Sequence, residues 1–350
     1  MIKIYNKEQK NEWNRRVKSY DNWDVYYTYE YVHALMLHGD GEPMLICYED
    51  QDVSMCYAVM KSDIAKCLQF QGVLAEGELF DWETPYGYGG PLTDTEIPVS
   101  SQQKFKQELM EYCRDENIVA QFVRFNPLSN NAAVLPGVIE RKYLRDTVYM
   151  DTTSAEIIWN NLDSKNRNMV RKAVKQNVHI VRAAIQDYDE LIAIYADTMK
   201  RKQAQDYYIF GREYFQAMEK MQNNACIFYA EWENKTISAA IMLYNDRNMH
   251  YHLAGTYSEY RKYAAGNLLL YEAARWCSEK GITRFHLGGG MTQGDSLFGF
   301  KKQFNKYGML PFYVGRTIFN TEQYETLKKI RKKLDDNFNM ENPFMLQYRA

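Results

Sequence analysis

The pattern of apolar and polar positions is clearest between His250 and Lys301, where it predicts a compact run of secondary structure. Alternation typical of a strand gives way to helical spacing and then returns. The predicted order is a strand (250–256), a basic loop (257–266), a helix (267–280), a second strand (282–287), a glycine run (288–290) and the segment SLFGFKKQF. Gly281, directly after the helix, is a typical C-terminal stop. The pattern therefore predicts one strand–loop–helix–strand unit.

The helix start and the glycine run of this unit predict a binding site for an anionic carrier. A helix N-terminus presents unpaired N–H groups and the positive end of the helix dipole, which suit a phosphate. Glycines after a strand let a ligand approach the backbone closely. The candidate residues for binding an acyl carrier are Arg261, Lys262, Gly266, Asn267, Gly288 and Gly289.

A weaker copy of the same pattern occurs earlier in the chain. ICYEDQDVSMCYAVM and FYAEWENKTISAAIML both read as two apolar strands that meet at a short polar turn. Farther along, YCRDENIVAQFVRF aligns with WCSEKGITRFHL, with Asn117 in the place of Gly281. Asn and Gly both tolerate the left-handed conformation past a helix end. The sequence predicts two copies of one α/β unit, although two unrelated hairpin–helix–strand units would also look alike.

Composition adds limits on size and location. Of the 350 residues, 46% are hydrophobic and 25% are charged, which is typical of a soluble globular protein, and the length predicts two domains. No apolar run has the length needed to span a bilayer, and the first residues, MIKIYNKEQK, do not resemble a signal peptide. The six scattered cysteines form no C-x-x-C pair, so we expect reduced thiols and a cytoplasmic location.

The formal net charge is −2, but the charges are unevenly distributed. Residues 21–96 contain 15 acidic and 2 basic side chains, whereas residues 164–186 contain 6 basic and no acidic ones. Such asymmetry can steer an anion, so the segment 165–175, with Arg167 and Arg171, is a candidate guide for an anionic substrate. The alternative is a solvated helix face. No zinc-finger, RNP-type or phosphate-loop motif occurs, which argues against sequence-specific binding of DNA or RNA.

Few residues point to familiar catalytic chemistry. His250 and His252 share a strand face, but no Cys, Asp or Glu lies at ligand spacing, so no metal site is predicted. His286 directly precedes Leu287 and the glycine run, and an inward strand histidine is favoured over a base. Lys301 follows the glycine run and an apolar turn, which makes it a candidate functional cation. The alternative is an exposed helix lysine like Lys302.

The 29 tyrosines are many for this length, and several crowd into WETPYGYGGP (residues 82–91). Tyrosine combines an apolar face with a hydroxyl group and so suits a peptide or sugar surface. Tyr86 is therefore a candidate substrate contact, and the alternative is a bias in composition with ordinary half-buried tyrosines.

The order of several segments resembles a known family. The segments are SKNRNMVRKAVKQNVHI, YADTMKRKQAQDYYIFGREYF, the strand–loop–helix–strand unit with its glycine run, SLFGFKKQF and, in the first half, DWETPYGYGGP. Together they resemble the FemABX-like (peptidoglycan bridge-forming aminoacyltransferase) branch of the GNAT acyltransferase superfamily. The resemblance implies an α/β fold with a mixed sheet and flanking helices, built as two tandem GNAT-like acyltransferase domains.

The resemblance also suggests the domain boundaries. An N-terminal GNAT-like domain is expected over residues 1–145, and a C-terminal one, carrying the transfer site, over residues 146–316. The remaining residues, 317–350, are expected to pack back on the first domain. They include a predicted helix (321–334) that needs a surface to cover, because apolar residues recur in it at helical spacing. These apolar residues are Tyr324, Leu327, Ile330 and Leu334.

The activity implied by the resemblance is transfer of an aminoacyl or acyl group from a carrier to an amine of a cell-wall or surface-polysaccharide precursor. Lys301 matches the family's catalytic lysine, which stabilises the oxyanion formed on the acyl group. Arg201 matches an arginine that helps to hold the acceptor's phosphates. Tyr207, Tyr208 and Tyr251 are candidates for the acceptor groove.

The resemblance implies that the acyl donor is aminoacyl-tRNA or acyl-CoA, with no tightly bound cofactor. The acceptor end of a charged tRNA is therefore a candidate partner beside the precursor. Two alternatives stay open: an acyl-CoA-dependent N-acetyltransferase that acts on an amino sugar, and a noncatalytic binding protein with the GNAT fold.

Overall fold

The computed structural model describes residues 1–51 and 53–350 and has the predicted mixed α/β architecture. The chain divides into two compact units. Unit 1 consists of Met1–Leu144 and Phe312–Ala350, and unit 2 consists of Arg145–Pro311. Unit 2 is therefore continuous in sequence, whereas unit 1 is assembled from two separate segments.

The helices and strands follow each other along the chain in both units. The strands are β1 (Ile2–Tyr5), β2 (Glu42–Asp50), β3 (Val53–Asp63), β4 (Phe80–Glu83), β5 (Ile118–Arg124), β6 (Glu140–Asp151), β7 (His179–Ala184), β8 (Ala225–Trp232), β9 (Lys235–Tyr244), β10 (Asn248–Thr256), β11 (Arg284–Gly288) and β12 (Met309–Ile318). The helices are α1 (Lys10–Val17), α2 (Tyr29–His38), α3 (Val99–Asp115), α4 (Ala155–Asn161), α5 (Ser164–Lys175), α6 (Asp189–Arg201), α7 (Arg212–Met218), α8 (Ala265–Lys280), α9 (Ser296–Lys302) and α10 (Thr321–Leu334).

The sheets of the two units have the same strand order. In unit 1 the order is β1–β2–β3–β4–β5–β12, and in unit 2 it is β7–β8–β9–β10–β11–β6. Within each unit, only the fourth and fifth strands of the described chain pair in parallel, β4 with β5 and β10 with β11. The internal repeat read from the sequence corresponds to this shared order.

The last strand of each sheet comes from an unexpected place in the chain. β6 follows β5 in sequence, but its second half pairs with β11 in unit 2. β12 follows β11 in sequence, but its second half pairs with β5 in unit 1. The sheet of unit 1 thus ends with β12, which follows β11 of unit 2 in sequence. The sheet of unit 2 ends with β6, which follows β5 of unit 1 in sequence.

The core of unit 2 forms where α4, α5 and α8 cover the sheet. The buried residues of α8 recur at helical spacing and fill this core. They are Ala265, Leu268, Leu269, Leu270, Ala273, Ala274 and Cys277. Each leucine buried in this way contributes about 1.5–3 kcal/mol. Gly281 ends α8 in the left-handed conformation at φ +75°, as the sequence predicts.

Helix α10 packs within unit 1. Tyr324 and Leu327 are buried against a cluster that includes Val119 and Ala120 of β5. Ile330 is partly buried against the same cluster, but Leu334 is 50% exposed. The prediction that Leu334 belongs to the covered face was wrong, because it is the last residue of the helix. None of the helices in the described residues has both the length and the apolar character needed to cross a membrane.

Candidate functional site

The candidate site in unit 2 begins where two parallel strands stop pairing. β10 and β11 are paired only over Asn248–His250 and Arg284–His286. β10 continues to Thr256, and its register against β9 shifts at His252, so a β-bulge places one extra residue on β10. Past His250, the described residues of β10 and β11 have no further pairing with each other. The loss of this ladder leaves room for another group beside the two strand ends.

Lys301 reaches this position from α9. Its side chain is buried, with 8% of the residue exposed, and its Nζ donates a hydrogen bond of 2.7 Å to the carbonyl of Gly289, just after β11. The same Nζ lies 5.9 Å from the ring centre of Tyr251 on β10. The ammonium group thus lies between Tyr251 of β10 and Gly289, the residue after β11, at the point where the pairing of the two strands has ended. The alternative reading of Lys301 as an exposed lysine like Lys302 is wrong, because only Lys302 is exposed.

The surroundings of Lys301 disfavour the charged, protonated form of its side chain. Burial is the main reason that the pKa of Lys301 falls to about 7, and the neighbouring cations Lys202 and Arg145 lower it further. The carboxylate of Asp295 acts in the opposite direction. A buried lysine with a pKa near neutrality is a sign of a functional site, because desolvation and charged neighbours are often arranged to tune reactive groups.

The glycine run packs against protein groups. Gly288 has φ +74°, a conformation that favours glycine. A β-carbon on Gly289 would lie 2.9 Å from the carbonyl oxygen of Asp146, and one on Gly290 would overlap the carboxylate of Asp295. The space beside the α-carbons of Gly289 and Gly290 is thus occupied by Asp146 and Asp295, and carrier binding by Gly288 and Gly289 stays a prediction.

The other candidate carrier-binding residues lie between β10 and α8. Arg261 and Lys262 belong to a short 3₁₀ segment, so the predicted loop is partly helical. Ala264 adopts the left-handed conformation, which lets α8 begin at Ala265. Gly266 therefore lies in the first turn of the helix and not in the loop. Asn267 donates a hydrogen bond of 2.8 Å to the side chain of Asn166, which joins the start of α8 to α5.

Arg201 lies at the end of α6 and holds that helix on the end of β10. Its Nη2 donates to the carbonyl of Thr256 at 3.2 Å, and its Nη1 lies 3.6 Å from a carboxylate oxygen of Asp197. Thr198 accepts a hydrogen bond of 3.2 Å from the backbone N–H of Thr256. A β-carbon on Gly255 would lie 2.7 Å from the carbonyl oxygen of Ile194, so this glycine permits the close approach of α6.

Lys202 is a site residue that the sequence reasoning missed. It follows Arg201, and its pKa is lowered, first by burial and then by Arg201 and Arg261. Lys202 also acts on Lys301. Arg201 and Arg261 thus lie close enough to Lys202 to lower its pKa, and Lys202 in turn lowers that of Lys301. The sequence signal was the run KRK at residues 200–202. The resemblance to the family drew attention only to its arginine, Arg201.

Histidines and tyrosines line β10 and β11. The rings of His250 and His286 meet edge to face with centres 5.7 Å apart. Tyr214 of α7 and Nε2 of His252 share a hydrogen bond of 2.7 Å. Burial, followed by the nearby His250, lowers the pKa of His252 to about 3, and burial raises the pKa of Tyr251 to about 12. His252 and Tyr251 are therefore uncharged at neutral pH. No group of three metal-ligating side chains occurs among the residues that the structure describes.

The two other tyrosines proposed for the acceptor groove follow α6. Tyr207 and Tyr208 lie in a short 3₁₀ segment, and Tyr207 is 40% exposed. The carbonyl of Tyr208 accepts a hydrogen bond of 2.8 Å from the hydroxyl of Tyr195. Tyr207 and Tyr208 stack edge to face with ring centres 5.3 Å apart. Their contact with an acceptor stays a prediction.

The basic helix α5 begins beside the start of α8. The buried Asn166 joins it to Asn267, as described above, and Nη1 of Arg167 donates to the carbonyl of Leu162 at 2.8 Å. The guanidinium of Arg171 lies 5.1 Å from the ring centre of Trp159. Both arginines thus also have contacts within unit 2, and their role as guides for an anion stays a prediction.

Tyr86 belongs to unit 1. Its carbonyl accepts a hydrogen bond of 2.6 Å from the hydroxyl of Tyr31. The next residue, Gly87, has φ +99°, and a β-carbon there would lie 2.6 Å from the ring of Tyr26. The aromatic loop is therefore tightly packed within unit 1, and a substrate contact of Tyr86 stays a prediction.

Unit 2 also has a cleft of about 330 Å³ between α5, β7 and α8. Its lining includes the ring of Trp276, which lies 5.4 Å from the guanidinium of Arg182. None of the predicted site residues lines this cleft.

Comparison with known proteins supports the interpretation of unit 2. Residues 164–302 match a family model described as an acetyltransferase (GNAT) domain. The matching segment begins with α5 and ends at the last residue of α9, so it includes β10, β11 and Lys301. Most of unit 2 is therefore similar to a GNAT acetyltransferase domain. No curated protein matches the chain significantly in sequence.

Solved structures resemble most of the chain. The crystal structure of FemX has a TM-score of 0.67 at 13% identity, and the match covers 93% of this chain and 99% of that one. L-PGS from Bacillus licheniformis has a TM-score of 0.57 at 13% identity, with 92% and 96% covered. The C-terminal domain of a putative lysylphosphatidylglycerol synthetase from Agrobacterium fabrum has a TM-score of 0.56 at 13% identity, with 93% and 95% covered. At these identities the likeness shows a shared fold.

Proposed function

We propose that unit 2 transfers an aminoacyl or acyl group from a carrier to an amine, with Lys301 beside the reacting carbonyl. The observation that carries this proposal is the position of the buried ammonium group. It lies where β10 and β11 have stopped pairing, 2.7 Å from the carbonyl of Gly289. The match of residues 164–302 to an acetyltransferase domain supports the same chemistry.

The proposed reaction is an acyl transfer through a tetrahedral intermediate. The neutral amine of the acceptor attacks the acyl carbon, and the electron pair of the carbonyl bond moves to its oxygen. The ammonium group of Lys301 stabilises this oxyanion, as a fixed cation does in a site that excludes water. When the carbonyl re-forms, the bond between the acyl carbon and the oxygen or sulfur atom of the carrier breaks, and the proton lost by the former amine passes to that leaving atom. The products are an amide and the free carrier.

The cations around the end of β10 suit a substrate that carries phosphate. Arg201 and Arg261 lie close enough to Lys202 to lower its pKa, and phosphate groups bind well to arginine and lysine clusters. FemX, L-PGS and the C-terminal domain of the putative lysylphosphatidylglycerol synthetase share this fold. We infer that the acceptor is a cell-wall or surface-polysaccharide precursor with a free amine, and that the donor is aminoacyl-tRNA.

The donor can be identified by direct binding and transfer. Acetyl-CoA and a mixture of charged tRNAs are added separately, and the thermal unfolding midpoint is measured for each. A donor that binds the folded state raises this midpoint. The stabilising donor is then supplied with a labelled acyl group together with a cell-wall precursor that bears a lysine side chain. The proposal predicts stabilisation by charged tRNA and label on the precursor amine.

The second candidate is an acyl-CoA-dependent N-acetyltransferase that acts on an amino sugar, and the acetyltransferase family match favours it. Stabilisation by acetyl-CoA alone, with label on an amino sugar, would support this candidate against the first. Binding of either donor with no transfer to any amine would instead support a noncatalytic binding protein.

A further inference from the structure

Asp295 ties the glycine loop to the start of α9. Its carboxylate accepts backbone hydrogen bonds from Met291 at 2.6 Å, from Thr292 at 3.0 Å and from Phe298 at 2.8 Å. The last bond caps the N-terminus of α9, and the first two hold the preceding loop against the same carboxylate. Three backbone donors on one carboxylate stabilise its charged form, and they lower the pKa of Asp295, led by the bond from Phe298.

The glycines of the loop make this arrangement possible. The carboxylate of Asp295 occupies the space where Gly290 would carry a side chain. The adjoining residue, Gly289, supplies the carbonyl that accepts the hydrogen bond from Lys301. The backbone turn that Asp295 holds is therefore continuous with the hydrogen-bond acceptor of the proposed catalytic lysine.

The charges that face Lys301 are otherwise unfavourable. Lys202 from the end of α6 and Arg145 from β6 both oppose the ammonium charge, and Asp295 favours it. His286 from β11 also lies close enough for its charged form to interact with Lys301, but burial keeps this histidine neutral. Tyr251 on β10 presents its ring to the ammonium group at 5.9 Å. Among the residues that the structure describes, Asp295 is thus the anion that acts on Lys301.

We propose that Asp295 is a positioning residue for Lys301, fixing the carbonyl of Gly289 beneath the ammonium group and supplying the negative charge that keeps that group protonated. This role rests on the proposed function of Lys301 in acyl transfer. It gives the glycine run a purpose that differs from carrier binding, since Gly290 makes room for the carboxylate.

The protonation of Lys301 can be measured without any substrate. The protein is labelled with ¹³C-lysine, and the Cε chemical shift of Lys301, assigned by its absence in Lys301→Met, is followed against pH. Asp295→Asn and Asp295→Ser both remove the charge, and serine keeps a strong N-cap. Each is expected to move the Lys301 midpoint to lower pH by about one unit, at the lower end of the effect of an opposite charge. Asp163→Asn, which removes the charged cap of α5, is the matched control and should leave that midpoint unchanged.

A second pair of variants changes no charge. Gly290→Ala places a β-carbon where the carboxylate of Asp295 lies and should shift the Lys301 midpoint in the same direction as Asp295→Asn. Gly299→Ala, in the neighbouring helix, has no atom within 4 Å of its β-carbon and should not. An unchanged Lys301 midpoint in folded Asp295→Ser or Gly290→Ala overturns the proposal.

Turnover then separates this proposal from the proposed function. With a competent donor and acceptor, a downward shift of one unit should lower kcat roughly tenfold at pH values above both midpoints. A shifted midpoint with unchanged turnover would leave Asp295 as the partner of Lys301 and would reject the ammonium group as the catalyst.

Discussion

At the residue scale, the proposed acyl transfer depends on the charge of one buried side chain, that of Lys301. Lys301 has given up most of its contact with water, and a carbonyl, an aromatic ring and one carboxylate are the main groups that favour its charge. A side chain held at such a cost is expected to act on a negative charge that develops during the reaction, and not on one already present in the substrate.

Replacing Lys301 by Met tests this difference. Met keeps the apolar stem and removes the charge, so kcat should fall by roughly 10²–10³, the range for loss of one oxyanion donor. KM should change little, because the interaction is made in the transition state. Lys302→Met, at the exposed neighbouring position, is the control and should retain normal turnover. Near-normal kcat in Lys301→Met would show that the charge is not used in catalysis.

The pH dependence follows from two groups with opposite requirements. The acceptor amine must be neutral to attack, so kcat/KM first rises with pH. The pKa of Lys301 is about 7, so the ammonium form is lost above neutrality and the rate should then fall. In Lys301→Arg the cation stays charged, so the alkaline fall should disappear. A wild-type profile that rises to a plateau, with no fall, would contradict this assignment.

The sequence pattern identified Lys301 but not the residues around it, because those residues come from separate parts of the chain. A Phe-Lys pair after a glycine run is a local pattern that can be read along the chain. Lys202 and Asp295 act on Lys301 from different elements, and only the folded backbone brings them together. The same limit applies to Gly290. The glycine run suggested that a ligand approaches the backbone there, whereas the group beside Gly290 is the carboxylate of Asp295.

At the element scale, strong periodicity gave the most reliable predictions. The helix after the basic loop is present as α8, and its stop at Gly281 is as predicted, but its start is two residues earlier than expected. The start was missed because Ala264 adopts the left-handed conformation, which sequence rules assign to glycine or asparagine. The shared strand order of the two sheets extends the repeat that the aligned segments indicated.

If α5 guides an anionic substrate, the strength of substrate binding should depend on the charge of this helix. Reversal of Arg167, Arg171 and Lys172 to Glu should weaken binding of the donor or acceptor at low salt, and the loss should shrink as salt increases. Reversal of three exposed lysines of α10, Lys329, Lys332 and Lys333, is a control with the same change in net charge. Equal effects of both triple variants would show a general influence of charge and no guiding role for α5.

The C-terminal segment fastens itself to unit 1 by a buried ion pair. Arg349 pairs with Asp81, which is fully buried, and the hydroxyl of Tyr348 donates to the same carboxylate at 2.7 Å. Arg349→Met leaves that carboxylate without its cation, so the free energy of unfolding should fall by about 3–5 kcal/mol in urea titration. Lys66→Met breaks an exposed pair with Glu76 and should cost less than about 1 kcal/mol. Similar values for both variants would mean that the buried pair adds no stability.

At the scale of the whole molecule, the two units depend on the chain in different ways. Unit 2 is formed by Arg145–Pro311 alone, so all of its strands lie within one continuous segment. Unit 1 lacks its last strand until Phe312–Ala350 returns to it, and that segment also carries α10. A sheet without its last strand exposes the unpaired N–H and C=O groups of β5, which favours misfolding or aggregation.

This difference predicts how fragments behave. A fragment of residues 140–311 contains β6 through β11 and should unfold cooperatively on its own, with dispersed amide signals in NMR spectra. A fragment of residues 1–144 lacks β12 and α10, so β5 has no outer neighbour and the cluster around Tyr324 and Leu327 loses its helix. It should show no cooperative transition until residues 309–350 are added back as a separate chain or through a flexible linker. Cooperative unfolding of the 1–144 fragment alone, at the midpoint seen after that addition, would show that the returning strand is dispensable for unit 1.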